Sequence, residues 1–211
     1  MNKPWIQAAI DVDELGLGKE ITEMAIGNGA EWIEVGTPLL LGYGFEAIQQ
    51  IKKVVGDRAK IVADYKYFHG PTIIPRAAAA GTDFVLMVDI YQDRFVEEAL
   101  SLAEQHQIQL VYSMLSKNPS DYAERGARLV SLGVQYLFMW RTVTYKGQVY
   151  ETLKDTRAAV NAFIGVSDDN LGSAVTAVED GADWITFGTV LKENNPVSCK
   201  RWIDRIHAAG K

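Results

Sequence analysis

The chain reads as an eight-stranded parallel (β/α)8 TIM barrel, and three observations carry that reading. Across all 211 residues, short apolar runs alternate with helix-like stretches, and no shift in composition marks a second domain. One local pattern returns four times: Gly29-Ala30-Glu31-Trp32, Gly81-Thr82-Asp83-Phe84, Gly133-Val134-Gln135-Tyr136 and Gly181-Ala182-Asp183-Trp184. Each opens an even-numbered strand, with a glycine to end the preceding helix and an aromatic to fill one barrel layer. Acids then stand at the ends of strands one to four, where barrels keep their sites. An open doubly wound sheet is the structural alternative.

The elements follow in order. Ile6 to Ile10 is an apolar first strand ending at Asp11. Lys19 to Asn28 is expected as a helix, with Ile21, Met24 and Ala25 at core spacing and Asn28-Gly29 to stop it. Strand two, Glu31 to Val35, runs into Gly36 to Gly44, whose glycines suggest a loop, and a helix from Phe45 to Val55. Strand three, Ile61 to Ala63, ends in Asp64 and Lys66, which share one face because i and i+2 of a strand do. A helix over Thr72 to Ala80 leads to strand four, Asp83 to Val88, and Asp89. Helix Arg94 to Gln105, strand Gln109 to Met114 and helix Pro119 to Leu132 follow. Strand six, Gln135 to Met139, meets Trp140-Arg141, then a polar loop and a helix. Strand seven, Ala162 to Val166, ends at Ser167-Asp168-Asp169. Helix Leu171 to Glu179, strand eight, Asp183 to Phe187, then Gly188-Thr189 and helix Pro196 to Ala209 complete the pattern.

Composition narrows the function. Net charge is −6 and no basic run exceeds Lys52-Lys53, which argues against a nucleic-acid partner. The lone Cys199 has no internal disulfide partner, so a reducing cytoplasm is the expected compartment. Met1-Asn2-Lys3-Pro4 leads straight into a strand with no signal pattern, and no apolar run nears the roughly 18 residues of a membrane helix.

The chemistry lies in the strand-end acids. Asp11, Glu34, Asp64 and Asp89 would repel one another at one rim unless a cation sat among them. Oxygen ligands of this kind suit Mg²⁺, with Glu34 and Asp64 as its ligands and Asp11 and Lys66 left for substrate hydroxyls and protons. Lys66 among acids stays protonated, which disfavours a Schiff base. His69, five residues after Asp64, is placed to touch the site or a neighbouring subunit; its bland reading is a packed or capping residue. Gly188 and Thr189 offer backbone N–H groups for a phosphate after strand eight. Asp168 and Asp169 after strand seven oppose that, and Arg141, Lys146 and Lys192 are the cations that would offset them.

Ala9-Ile10-Asp11, Ile33-Glu34-Val35-Gly36-Thr37-Pro38-Leu39 and Val62-Ala63-Asp64-Tyr65-Lys66 resemble the orotidine-monophosphate decarboxylase superfamily. The likeness is to its branch of hexulose-phosphate synthases and ketogulonate-phosphate decarboxylases. The resemblance implies a barrel acting as a homodimer, with the segment after Lys66 facing the partner. It implies Mg²⁺ on Glu34 and Asp64, with Asp11 and Lys66 contacting a sugar substrate that loses CO₂ or is cleaved as an aldol through a cis-enediolate. Candidate catalytic residues are thus Asp11, Lys66 and His69, and candidate substrate-binding residues are Thr37, Arg141, Gly188 and Thr189. The chain departs from the family pattern where His69 replaces a second aspartate and Trp140 a histidine. It departs again where Asp168-Asp169 replace a glycine pair and Thr189 a phosphate-binding arginine. The expectation is a carbon–carbon lyase with an altered substrate. A sugar-phosphate isomerase or epimerase, and a non-catalytic sugar-binding relative, are the alternatives.

Overall fold

The computed structural model describes residues 3–66, 70–90, 92–115 and 117–210. Eight parallel strands form a closed barrel: β1 (Trp5–Ile10), β2 (Trp32–Val35), β3 (Lys60–Asp64), β4 (Phe84–Val88), β5 (Gln109–Ser113), β6 (Tyr136–Met139), β9 (Phe163–Ser167) and β10 (Trp184–Phe187). Pairing of β1 with β10, Trp5 opposite Trp184, closes the ring and removes the open-sheet alternative. The barrel's seventh and eighth strands are β9 and β10, because a hairpin of β7 (Thr142–Tyr145) and β8 (Gln148–Glu151) intervenes. Around the barrel lie α1 (Leu15–Gly27), α2 (Thr37–Tyr43), α3 (Phe45–Val55), α4 (Gly70–Ala80), α5 (Asp93–Gln105), α6 (Tyr122–Ser131), α7 (Thr152–Ala159), α8 (Leu171–Glu179), α9 (Thr189–Lys192) and α10 (Pro196–Ala209). Among the described residues no helix is long and apolar enough to cross a membrane.

Strand alternation divides the core in two. Ile6, Ala8 and Ile10, Ile33 and Val35, Ile61 and Ala63, and their equivalents face outward and pack under the helices. The opposite face holds Trp32, Val62, Phe84, Leu86, Val111, Phe138 and Trp184 inside the barrel. The four-fold sequence pattern accounts for the aromatic plug. Gly29, Gly81, Gly133 and Gly181 take φ of +104°, +99°, +106° and +108°, a turn that residues with a Cβ rarely make. Each turn delivers its aromatic inward: Trp32 lies 4.4 Å from Phe84 and 5.3 Å from Trp184, and Phe84 lies 5.2 Å from Tyr136, between ring centroids. These are side chains of alternate strands filling one layer, as barrels of this kind are filled. Such ring pairs each add about 0.5–1.5 kcal/mol beyond area burial. A Cβ on Gly165 would fall within the Trp184 indole, so β9 carries a glycine where that ring crosses the interior.

Two segments differ from expectation. Gly36 to Gly44 forms α2 rather than a loop, because Pro38 favours the first helical turn and Leu39 and Leu40 bury beneath it. Gly44, at φ +58°, ends it. The stretch after Arg141 forms the β7–β8 hairpin rather than a polar loop. Lys146 and Gly147 both take positive φ, +49° and +79°, the two-residue geometry that suits strand twist. At the far end of the barrel, His207 Nε2 lies 3.3 Å from a Glu31 carboxylate oxygen and its side chain is mostly covered.

Candidate active site

Above the aromatic plug the barrel interior turns polar. Gln7, Glu34, Asp64, Ser113 and Thr186, all buried, share the inward parity of Trp32, Val62 and Trp184. Gln7 Oε1, Asp64 Oδ1, Ser113 Oγ and Thr186 Oγ1 have no hydrogen-bond partner among the described residues. Buried polar atoms are nearly always partnered, and a group of orphans lining one interior floor marks where a ligand's oxygens belong.

Asp64 is the centre of the site. Only 1% exposed, it accepts at Oδ2 from the Lys66 ammonium and from Thr37 Oγ1 at 2.8 Å, while its Oδ1 is left bare. Lys66 Nζ also donates to Thr37 Oγ1 at 3.0 Å, so acid, base and hydroxyl form one ring of contacts. Helix α2 brings Thr37 there, which the loop expectation had not explained. The backbone of Lys66 sits at φ +28°, and its carbonyl accepts from Val88 N–H at 3.0 Å. A non-glycine residue held there is strained, and β4 holds it in place.

Glu34 accepts from Gln7 Nε2 at 2.5 Å. Burial, then the nearby Asp64 and Asp11 carboxylates, hold its carboxyl well above the usual range. Asp11 is raised too, first by burial and then by Asp64 and Asp169, with Lys66 and Lys192 opposing. Its carboxylate fits between Gly36 and Gly188, where a Cβ on Gly36 would collide with it. Burial pulls the Lys66 ammonium down, but Asp64, Glu34 and Asp11 outweigh that and hold it above its ordinary value. Asp11, Glu34, Thr37, Asp64 and Lys66 are therefore brought together, as the sequence suggested.

Other expected residues lie elsewhere. Asp89 does not join the acids: fully buried, it accepts from Arg125 Nε at 2.8 Å and Nη2 at 2.9 Å. Phe84, Leu86 and Val88 face inward, so alternation turns Asp89 outward. Arg141 is turned outward by the same rule after Tyr136 and Phe138, and it binds Asp180 and Glu151 instead of the site. Gly188 and Thr189 lie at the mouth, but their N–H groups, 2.9 Å away, both donate to Asp169 Oδ1. His69 lies outside the described residues. Among the described residues no three His, Cys, Asp or Glu side chains lie close enough to share one metal ion, Asp11, Glu34 and Asp64 included. The expected four-acid cluster is thus reduced to Glu34 and Asp64, with Asp11 beside them. Residues missed by the sequence reading are Gln7, Ser113 and Thr186, which inward parity in polar form would have marked.

Comparison with known proteins matches residues 4–166 to the model of the Orotidine 5'-phosphate decarboxylase / HUMPS family. The chain belongs to that family. It is 23% identical over 211 residues to the 3-hexulose-6-phosphate synthase of Staphylococcus haemolyticus, covering 93% of this chain and 95% of that one. The fold matches the 3-hexulose-6-phosphate synthase of Salmonella typhimurium at a TM-score of 0.80, with 20% identity over 98% of this chain and 100% of the other. It also matches the 3-keto-L-gulonate-6-phosphate decarboxylase of Vibrio cholerae at a TM-score of 0.75, with 17% identity over 97% of this chain and 99% of the other. These relatives are synthases and decarboxylases, and the chain is a lyase of this superfamily.

Proposed function

We propose that the chain is a Mg²⁺-dependent carbon–carbon lyase acting on a keto sugar or β-keto sugar acid through a cis-enediolate. The observation that carries the reading is the bare, buried Oδ1 of Asp64 beside Glu34, with Lys66 locked onto the other oxygen. Two carboxylates with room for substrate oxygens are the donor set that Mg²⁺ accepts. Bound there, the ion would act as a Lewis acid for charge developing on adjacent substrate oxygens.

This chain's residues supply the rest. Lys66, kept protonated by three acids, sets a fixed positive charge at the mouth without reorganising during the reaction. Scission of the bond between the carbon α to the ketone and the departing carbon sends its electron pair through the α carbon onto the ketone oxygen. The leaving fragment is CO₂ from a β-keto acid, or an aldehyde once its hydroxyl has lost a proton. Asp11, whose carboxyl is held above its ordinary value by burial and by Asp64, is placed to take that proton or to return one to the carbon. Gln7, Ser113 and Thr186 offer partners for sugar hydroxyls. The named relatives favour a lyase over an isomerase or a binding protein. A homodimer with the segment after Lys66 at the partner belongs to the same reading.

Isothermal titration of Mg²⁺ into wild type, Glu34→Gln and Asp64→Asn tests it. Wild type should bind and both variants should lose binding, and wild-type affinity should rise with pH because Glu34 must give up a tightly held proton. Wild type should then release CO₂ or aldehyde from keto sugar acids or keto sugars. Binding unchanged in both variants would refute the assignment.

A further inference from the structure

Barrels of this kind commonly hold a substrate phosphate on backbone N–H groups of the loops after their seventh and eighth strands. Here the two donors that open the loop after the eighth strand are already used. Gly188 N and Thr189 N donate to Asp169 Oδ1 at 2.9 Å each, and Thr189 Oγ1 donates to Asp169 Oδ2 at 2.8 Å. Asp169 Oδ1 thus takes both backbone donors that a phosphoryl oxygen would use, and Oδ2 takes the adjacent hydroxyl. In the other loop, Asp168 Oδ1 accepts from Asn170 N at 2.8 Å, its Oδ2 accepts from Ser173 Oγ, and Asn170 Oδ1 accepts from Ser173 N at 3.0 Å.

The cations that would offset these acids are mostly spent. Arg141 is held by Asp180 and Glu151, and Lys146 lies 5.2 Å from the centroid of the Tyr145 ring on the hairpin. Lys192, which acts on Asp11, remains at the mouth. Asp169 faces the site rather than away from it: it follows Ser167 with the inward parity of Gly165, and its charge reaches Asp11.

We propose that Asp169 is a built-in occupant of the barrel's phosphate position and sets the substrate class, an unphosphorylated keto sugar or keto sugar acid whose far end is a neutral hydroxylated carbon. This rests on the keto-sugar reading of the site. It separates the chain from its relatives, whose names carry a sugar phosphate. The carboxylate satisfies the loop donors and repels a dianion, so Asp169 is a specificity-determining residue. It performs no chemistry.

The test is calorimetric binding of D-ribulose, D-ribulose 5-phosphate and inorganic phosphate, with Mg²⁺ present, to wild type, Asp169→Ala and Asp169→Asn. Wild type should prefer D-ribulose and ignore inorganic phosphate. Asp169→Ala should gain about ten- to hundredfold affinity for both phosphates, the scale of charge-assisted hydrogen bonds released to a new acceptor. Asp169→Asn, which keeps an acceptor oxygen for the loop and so guards against misfolding, should gain less. Tighter wild-type binding of D-ribulose 5-phosphate than of D-ribulose, or no phosphate gain in either folded variant, would overturn the proposal and leave the lyase reading standing. Wild type binding neither sugar while Asp169→Ala gains inorganic phosphate would sink the keto-sugar reading and uphold the occupied phosphate position.

Discussion

Replacing Lys66 with methionine removes the ammonium and keeps most of the side-chain volume, so it isolates the charge. Asp64 is 1% exposed, and breaking a fully buried pair from one side costs about 3–5 kcal/mol. Two features lower that figure. The Lys66 side chain is 43% exposed, so solvent already screens the pair, and Thr37 still donates to Asp64 at 2.8 Å. The expected loss is about 2 kcal/mol without metal, or roughly 4–8 °C in Tm for a domain of this size. Lys66 is held above its ordinary value when folded, so its stabilisation is fully present below the unfolded value and is lost as pH rises through the folded one. The gap between wild type and Lys66→Met should therefore be constant near neutral pH and close above about pH 10.5. Urea unfolding from pH 7 to 11, with and without Mg²⁺, reads it directly. Turnover should vanish even where Mg²⁺ restores stability to the variant. Equal stability at pH 7, or a gap indifferent to alkaline pH, would refute the account of Lys66 as a charge pinned by Asp64.

Two further outcomes follow from the packing. Arg125→Ala takes the two-pronged guanidinium from the fully buried Asp89, with Lys117 3.7 Å away as a poor substitute, and should cost about 3 kcal/mol in urea unfolding while Mg²⁺ affinity is unchanged. Loss of Mg²⁺ binding in that variant would return Asp89 to the proposed ligand set. Gly165→Ala forces a methyl into the space of the Trp184 ring and should destabilise by about 3 kcal/mol, with altered near-ultraviolet dichroism from the displaced indole. A neutral result would mean that the plug is looser than described.

Most of the barrel was legible because its signals are local. The glycine-to-aromatic pattern fixes both a positive-φ turn and an inward ring, and helices such as Phe45–Val55 and Leu171–Glu179 carry their own start and stop residues. The two misread segments have signals of a weaker kind. In Gly36 to Gly44 the glycines suggested a loop, but Gly36 and Gly44 bound a helix whose stability comes from burying Leu39 and Leu40 against the barrel, a tertiary effect. In the hairpin, Thr-Val-Thr-Tyr and Gln-Val-Tyr-Glu around Lys146-Gly147 had the right alternation and turn, although the flanking polarity masked it.

The site was half legible, and strand parity explains which half. Counting acids at strand ends treats every terminal carboxylate alike, yet the period of two sends successive residues to opposite sides of the wall. Counted from the aromatic layer, Asp11, Glu34, Asp64 and Asp169 fall inside, while Asp89, Arg141 and Asp168 fall outside. The structure follows that division: the outward group is consumed by Arg125, by Asp180 and by the start of α8, while Glu34 and Asp64 of the inward group face the orphaned oxygens of the floor. What parity does not reveal is whether an inward acid meets a ligand or the chain's own backbone. Glu34 and Asp64 sit deep, where no donor among the described residues reaches Asp64 Oδ1, whereas Asp169 sits at the rim beside Gly188 and Thr189, whose N–H groups reach it first. Depth in the barrel thus separates the carboxylates that remain open to a cation and substrate from the one that closes the mouth to a phosphate.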